Sequence, residues 1–383
     1  MRFKAKLATW QVELLNNIIT PISRFTGNGR FPGHSSDTSS IYHSPFCGGG
    51  GAVIHLDPNY LRISARGGGT STGGGSGTAS TTVPSTSTIS TVANDAEGIA
   101  CFTEVMTTNG IFMEHRIESI ADNVIVFEIS LAQLRMALQS ILASGKSSEG
   151  TSSSGNIRPL HNSSSNIDTD QNEENARLSS LTLPGIVMKL AKRNRGFPFL
   201  CLDSQVQGKG SIEVHHAIPV RIMRAADMQY HLPPRISMPD VQLELPHDRS
   251  LRAVVERLRS LSPHVYIEGS MAGELTLRVD GDGASIQTFY NKLVPRFEDC
   301  KSTTGRDGQN DENDEPVRCT LKVDSKKLNA CLQWQGTLSI GKSISSAVLC
   351  LVENEMLVLH VMLNPSSVGF FTYYVPVHYL SED

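Results

Sequence analysis

The segment Gly336–Ser343 has the spacing of a phosphate-binding P-loop, Gly-x-x-x-x-Gly-Lys-Ser, in which Lys342 would contact the phosphates. That chemistry needs a strand before the loop and a helix after it, because the helix N-terminus directs backbone amides at the phosphates. Here a helical pattern precedes Gly336, and a strand pattern, Ile344–Val352, follows Ser343. We therefore expect a helix-to-strand turn, and a P-loop ATPase centred on Lys342 is the less favoured interpretation.

Two other polar clusters also lack what their chemistry requires. Asp280–Gly283 lies between two alternating strand patterns without the glutamate that ends a calcium loop, so it predicts a hairpin turn. His215 and His216 are neighbours in a strand pattern, so their side chains point to opposite faces and cannot bind one metal ion. No Cys-x-x-Cys motif occurs. We predict that the protein is not an enzyme and has no cofactor or metal site.

Three of the four predicted helices carry a net positive charge, although the chain as a whole has a net charge of −4. A basic helical surface on an acidic protein fits sequence-independent attraction to nucleic-acid phosphates. The alternative is that exposed helix faces are simply charged, and charge alone does not separate the two interpretations. The candidates for phosphate contact are Arg135, Arg249, Arg252, Arg259, Lys326 and Lys327, with Arg24 and Lys146 as weaker candidates.

Four amphipathic segments predict helices among strands of alternating apolar residues. The predicted helices are Trp10–Phe25 (bent or ended by Pro21), Ser130–Ser144, Asp248–Leu261 and Asp324–Gln335. The third helix is expected to bury Leu251, Val254, Val255, Leu258 and Leu261. The predicted fold class is α+β, with antiparallel sheets that are each covered by two one-faced helices.

A strand that leads into a helix cap occurs twice, since Ile129–Leu134 matches Val323–Leu328. Such an internal repeat predicts two similar domains. We place them at residues 1–220 and 241–383, on either side of a proline-rich connector at residues 221–240. Four stretches rich in Gly, Ser or acidic residues predict disordered insertions. They lie at about residues 27–50, 66–95, 145–182 and 298–316.

Bulk composition favours a soluble intracellular protein. The seven cysteines are scattered, as expected in a reducing compartment, and no run of 18 apolar residues could span a membrane. Met1–Leu7 alternates between polar and apolar residues, without the apolar core of a signal peptide.

Four segments in order resemble one family. They are the start Met1–Leu7, the Ile-Pro-Val strand end and connector Ala217–Pro239, the hairpin His264–Arg278 and the ending Phe371–Pro376. Together they resemble the Hus-one subunit family of the DNA-damage checkpoint clamp. The resemblance implies a PCNA-like sliding-clamp fold, in which the sheets lie outside and two helices of each domain face a central channel.

The resemblance also implies partners and a role. The ring would contain Rad-nine and Rad-one type subunits, be placed on double-stranded DNA by a clamp loader, promote checkpoint-kinase activation and recruit repair enzymes. It would act in the nucleus, with the unassembled subunit in the cytoplasm, and no membrane would be involved. The helix cations above would line the DNA channel. The strands facing neighbouring subunits would be about Ser211–Pro219 and Ala284–Tyr290, with candidate interface residues Ile212, Val214, Ile218, Ile286, Thr288 and Tyr290.

Two further alternatives stay open on the sequence alone. A homotrimeric replication clamp would have the same fold, although the connector and terminal segments argue against it. A β-rich scaffold without a DNA role would be indifferent to loss of the helix arginines.

Overall fold

The computed structural model describes most of the chain outside the predicted insertions. The described residues are 1–26, 51–66, 98–108, 110–146, 185–193, 196–206, 212–224, 231–246, 249–281, 283–296, 316–338, 343–365 and 368–378. The predicted insertions at about residues 27–50, 66–95, 145–182 and 298–316 fall for the most part outside these described residues.

The chain divides into two compact units. The first comprises Met1–Ser23, Gly51–Ile63 and Glu104–His231, and the second comprises Arg24–Gly50, Ser64–Thr103 and Leu232–Asp383. The limits of the predicted domains and of the connector stay a prediction, because each compact unit combines several separate stretches of the chain.

The first part of the chain forms nine strands and two helices within its described residues. In order they are β1 (Arg2–Leu7), α1 (Thr9–Phe25), β2 (Gly51–Leu56), β3 (Tyr60–Arg66), β4 (Ala100–Met106), β5 (Glu114–Glu118), β6 (Ile125–Ser130), α2 (Leu131–Lys146), β7 (Ile186–Arg193), β8 (Phe197–Val206) and β9 (Ile212–Ile222). One antiparallel sheet has the order β5-β1-β7-β8-β9. In a second sheet β6 pairs with both β9 and β2, and β3 follows β2 through a hairpin in which Asp57 N donates to Tyr60 O at 3.0 Å.

The second part repeats this arrangement. Its elements are β10 (Val241–Glu244), α3 (Ser250–Leu261), β11 (His264–Ser270), β12 (Glu274–Gly281), β13 (Ala284–Tyr290), β14 (Val294–Pro295), β15 (Arg318–Asp324), α4 (Ser325–Cys331) with the 3₁₀ helix Leu332–Gly336, β16 (Ile344–Val352), β17 (Met356–Leu363) and β18 (Gly369–His378). One sheet has the order β14-β10-β16-β17-β18, and the other has the order β18-β15-β11-β12-β13. The predicted α+β class and the repeat are confirmed.

Each pair of helices covers a sheet surface with one apolar face. In the first unit, Leu15 and Ile19 of α1 and Leu134 of α2 line a small apolar cavity with residues from strands of both sheets. In the second unit, Leu251 and Val255 of α3 and Leu328 of α4 do the same. These one-faced contacts leave the opposite face of each helix for polar residues.

α1 ends at Phe25 as predicted, and of the two alternatives for Pro21 the structure excludes that it ends the helix. The expected burial of Leu261 is wrong. Leu261 is the last residue of α3 and is 54% exposed, because the chain turns there through Ser262 and Pro263 into β11. Leu251, Val255 and Leu258 are buried as expected, whereas Val254 is half-buried.

The start of α4 generates a stability prediction. The Asp324 carboxylate accepts hydrogen bonds from the backbone N–H groups of Lys326 at 2.8 Å and Lys327 at 3.0 Å. Removing such an N-cap in Asp324→Ala should lower the free energy of unfolding by about 1 kcal/mol. Urea unfolding followed by the fluorescence of the buried Trp334 would measure it. Asp324→Asn keeps an acceptor and should lose much less, so equal losses in the two variants would contradict the capping role.

Candidate nucleic-acid interface and subunit edges

The candidate phosphate-contact residues lie on three helices. Arg135 lies on α2 of the first unit and is half-buried. The other five lie in the second unit at α3 and α4, which pack against each other. Of these, Arg249, Arg259 and Lys326 are exposed, and Arg252 and Lys327 are half-buried. The second unit therefore brings five predicted basic residues onto one pair of helices.

The weaker candidates lie at helix ends. Arg24 is exposed in the last turn of α1. Lys146 ends α2, and its side chain lies outside the described residues.

Among the described residues, the cations that form ion pairs lie on the strands or beside them, whereas most helix cations form none. Within the described ranges, the ion pairs join residues on strands or on the turns beside them. The pairs with arginine or lysine are Lys6–Glu114, Arg62–Asp57, Arg62–Glu104, Arg116–Glu118, Lys189–Asp203, Arg221–Glu128, Arg278–Asp280, Arg296–Glu244, Arg318–Glu268 and Arg318–Glu274. The described acidic residues form no ion pair with Arg135, Arg249, Arg252, Arg259 or Lys326. No described carboxylate is paired with these cations, which favours their contact with an external anion.

One basic residue was missed by the sequence reasoning. Arg257 is exposed on α3 and has no ion pair among the described residues. It lies outside the three- and four-residue spacing that relates Arg249, Arg252, Glu256 and Arg259. A count of every basic residue in the predicted helix Asp248–Leu261 would have included Arg257.

β13 presents an exposed edge in the second unit. Over the described residues it pairs with β12 alone, and Ile286 and Phe289 are 43% and 63% exposed. Thr288 and Tyr290 are half-buried. Ile286, Thr288 and Tyr290 lie opposite the buried Val279, Leu277 and Leu275, so they share the face of the sheet that covers the core. An edge of this kind offers backbone groups to another strand.

β9 has a different character in the first unit. Its first eight residues pair with β8, and its pairing with β6 begins only at Val220. Val214 is half-buried, whereas Ile218 is 4% exposed and belongs to the core. Ile212 is paired with Val206, but its side chain lies outside the described residues. Any neighbour at this strand would therefore meet its backbone more than the side chain of Ile218.

A charged cluster links β8 and β9. His215 Nδ1 lies 2.8 Å from Asp203 Oδ1, and His215 Nε2 lies 3.3 Å from Glu213 Oε2. Hydrogen bonds to Asp203 and Glu213 raise the pKa of His215 above its usual 6.5. Burial tends to raise the pKa of Asp203, but hydrogen bonds from His215 and Lys189 outweigh it and the pKa is lowered.

The other motifs give no chemistry in the described part of the chain. Gly336 ends the 3₁₀ helix and β16 starts at Ile344, which is the predicted helix-to-strand order. Lys342 lies outside the described residues. β12 and β13 form the hairpin predicted at Asp280–Gly283. No group of three His, Cys, Asp or Glu residues in the described ranges is arranged to hold a metal ion. None of the described helices is both long and apolar enough to cross a membrane.

Two units with one strand order, each with a pair of one-faced helices, form the duplicated architecture of a sliding-clamp type of protein. The family model described as Hus1-like protein matches residues 83–378. The chain therefore belongs to the Hus1-like family.

Individual relatives agree with this assignment. The checkpoint protein hus1 homolog of Dictyostelium discoideum is 26% identical over 282 residues, which cover 73% of this chain and 82% of that protein. Checkpoint protein hus1 of Schizosaccharomyces pombe is 28% identical over 199 residues, or 50% of this chain and 66% of that protein. Checkpoint protein HUS1 of Homo sapiens is 27% identical over 108 residues, or 28% of this chain and 39% of that protein. The last two matches span less than two thirds of each relative.

A solved structure of PCNA from Thermococcus kodakaraensis aligns with 98% of this chain and 100% of its own, at 11% identity and a TM-score of 0.49.

The His215 cluster generates a pH prediction. A histidine whose pKa is raised in the folded state stabilises the fold fully below its unfolded pKa of 6.5, and this contribution is lost as the pH rises through the folded pKa. The difference in unfolding free energy between the wild type and His215→Gln should therefore be larger near pH 5.5 than near pH 8.5. Urea unfolding at both pH values would measure it. A difference that grows as the pH rises would contradict the assigned contacts.

Proposed function

We propose that this chain is one subunit of a heterotrimeric checkpoint clamp that encloses double-stranded DNA. The observation that carries the proposal is a set of helix cations that form no ion pair with the described acidic residues, in a member of the Hus1-like family. These cations are Arg135, Arg249, Arg252, Arg259 and Lys326. Such a subunit has no reaction to catalyse. It acts by keeping a ring closed around DNA and by presenting an outer surface to other proteins.

The helix cations would contact DNA phosphates. Arginine and lysine on the exposed face of a helix can contact the phosphates of the DNA backbone. The charge of that backbone does not depend on sequence, and such contacts weaken as the salt concentration rises. The second unit would contribute phosphate contacts from α3 and α4. The residues are Arg249, Arg252 and Arg259 on α3, and Lys326 and Lys327 on α4. Arg135 on α2 would contribute from the first unit. Half-buried Arg252 and Arg135 would hold more fixed positions than the exposed side chains, because less of each side chain is free to move.

The open edges would meet neighbouring subunits. In the second unit β13 has apolar residues along an edge with no described strand partner, which suits pairing with a strand of another chain. In the first unit the Ile212–Pro219 part of β9 would serve in the same way. These two edges differ in sequence, as the two surfaces of a head-to-tail ring interface do.

Assembly and signalling partners follow from the family. The neighbours would be subunits of the Rad-nine and Rad-one type, and a clamp loader would open and close the ring around DNA. The loaded ring would support checkpoint-kinase signalling and recruit repair enzymes in the nucleus. A homotrimeric replication clamp is not better supported, because the chain belongs to a family whose relatives are named checkpoint proteins.

Charge neutralisation tests the DNA contacts. The fourfold variant Arg249→Gln, Arg252→Gln, Arg259→Gln and Lys326→Gln should bind duplex DNA more weakly as part of the assembled ring. It should also show a shallower dependence of log K on log salt, by about 0.9 for each phosphate that the variant no longer neutralises. Fluorescence anisotropy with a labelled duplex between about 50 and 200 mM salt would measure both quantities.

The matched control replaces four exposed strand cations that already have local ion pairs. Lys6→Gln, Arg116→Gln, Arg221→Gln and Arg318→Gln together remove the same amount of charge and should leave the salt slope unchanged. If the control variant lost as much DNA binding as the fourfold variant, net charge rather than the helix surface would explain the binding.

A further inference from the structure

Three cations face one another across adjacent strands of the first unit. Lys4 on β1 lies directly opposite Arg116 of β5 on one side and Lys189 of β7 on the other. Neighbouring strands lie about 4.8 Å apart, so the three side chains start within about 10 Å of one another. Like charges directly opposite one another destabilise a sheet. We call Arg116, Lys4 and Lys189 the Lys4 row.

The Lys4 row lies on the face of the sheet that points away from the core. The residues beside it along the strands, Phe3 of β1, Ile117 of β5 and Met188 of β7, are buried. Because successive side chains of a strand point to opposite faces, the three cations share the other face. Two of them are exposed, and Lys189 is half-buried.

The acidic groups nearby leave the middle of the row without a partner. Glu118 Oε1 accepts a hydrogen bond from Nε of Arg116 at 2.6 Å. Asp203 Oδ2 lies 2.6 Å from Nζ of Lys189. Lys4 forms no ion pair with the described acidic residues. The centre of the row is therefore a cation between two cations, which favours contact with an external anion.

Two carboxylates limit the kind of anion that fits. Glu114 and Glu118 lie two residues before and two residues after Arg116 on β5, and so on the same face. Two residues along a strand span about 7 Å. A nucleic-acid backbone repeats its negative charge along its whole length and would approach these carboxylates. A single acidic side chain would meet the cations alone, which favours a peptide over a nucleic acid.

An apolar surface continues the same face beyond the row. Lys189 lies opposite Cys201 of β8, which lies opposite Ala217 of β9. Two residues further along these strands, Phe199 lies opposite Pro219. Ala217, Phe199 and Pro219 are half-buried. An aromatic and apolar centre bordered by charged groups is the usual composition of a protein interface.

We propose that the Lys4 row and the apolar surface around Phe199 bind an acidic peptide segment of another protein. An acidic side chain of the peptide contacts Lys4 and the two cations beside it, and a neighbouring apolar side chain packs on Phe199. This docking site rests on the proposed function, since a clamp subunit recruits other proteins. Its residues and its ligand are separate from the contacts with DNA.

The competing explanation is a solvated surface. Lysine and arginine can spread their charged ends into water, where salt screens the repulsion between them. In that case Lys4 would be an ordinary exposed lysine, and its removal would affect an acidic ligand no more than the removal of any other exposed charge.

Lys4→Gln and Lys6→Gln separate the two explanations. Both lysines are exposed on the same face of β1, and each substitution removes one charge. They differ because Lys6 Nζ lies 2.8 Å from Glu114 Oε2, whereas Lys4 has no described carboxylate as a partner. The probe is a fluorescein-labelled peptide in which glutamate alternates with leucine. It is titrated by fluorescence anisotropy against the purified full chain, alone or with its partner subunits.

The docking site predicts that Lys4→Gln weakens binding of the glutamate peptide several-fold, whereas Lys6→Gln changes it little. A peptide with glutamine in place of glutamate should bind the wild type as weakly as the glutamate peptide binds Lys4→Gln. Lys4→Gln should also raise the urea midpoint of unfolding, because it removes two like-charge contacts. Lys6→Gln should not raise it, because it removes a favourable pair. Weaker binding by a more stable variant cannot come from a damaged fold.

Several results would overturn the docking site. They are an absence of peptide binding by the wild type, equal losses in Lys4→Gln and Lys6→Gln, and a lower urea midpoint for Lys4→Gln. An equally large loss of duplex DNA binding in Lys4→Gln would overturn it too, because the row would then bind nucleic acid. These results leave ring assembly untouched. A chain that binds the peptide through Lys4 but forms no heterotrimer would remove the proposed function and leave the docking site.

Discussion

The arrangement of this protein depends on helices that are apolar on one face only. Each sheet needs its inner surface covered, and the buried side chains Leu15, Leu134, Leu251, Val255 and Leu328 supply that cover from four helices. Burial of these side chains fixes which way each helix faces. The opposite faces are then free to be polar, and in the second unit they are basic. The hydrophobic contact that stabilises the fold therefore also determines where the charge lies.

In the described part of the chain, ion pairs occur on the strands and not on the basic helix faces. Cations on the strands, such as Arg62 and Arg318, are each within reach of two carboxylates. Such pairs cancel charge locally, and the exposed ones of Arg318 contribute little to stability. On α3 and α4, Arg249, Arg252 and Lys326 have no such ion pair with the described acidic residues. A protein with a net charge of −4 can thus present a basic surface in one place.

The sequence predicted local features well because short-range chemistry determines them. Ser130 and Asp324 were expected to start helices, and each accepts a hydrogen bond from the backbone of the following turn. The hairpin at Asp280–Gly283 followed from turn residues between two alternating strands. The repeat predicted two similar units, because a strand-to-helix segment with the same pattern occurs twice.

Other features depend on contacts that no local pattern contains. α3 ends at Leu261 because the chain turns there into β11. Helical spacing alone extended the predicted buried face of α3 to Leu261, which is exposed. Ile218 looked like an edge residue, yet its side chain is in the core. Gly336 drew attention as part of a P-loop pattern, whereas its structural role is to leave room for Arg252, 84 positions earlier in the sequence. Such a pairing requires the folded arrangement of α3 and the 3₁₀ helix.

The native mass of the purified chain, alone and co-expressed with Rad-nine and Rad-one type subunits, shows whether this protein is one subunit of a heterotrimeric clamp. If it is, the lone chain does not form a trimer and the three chains form a stable one-to-one-to-one complex. A homotrimer of this chain alone, or a monomer that ignores both partners, would contradict it.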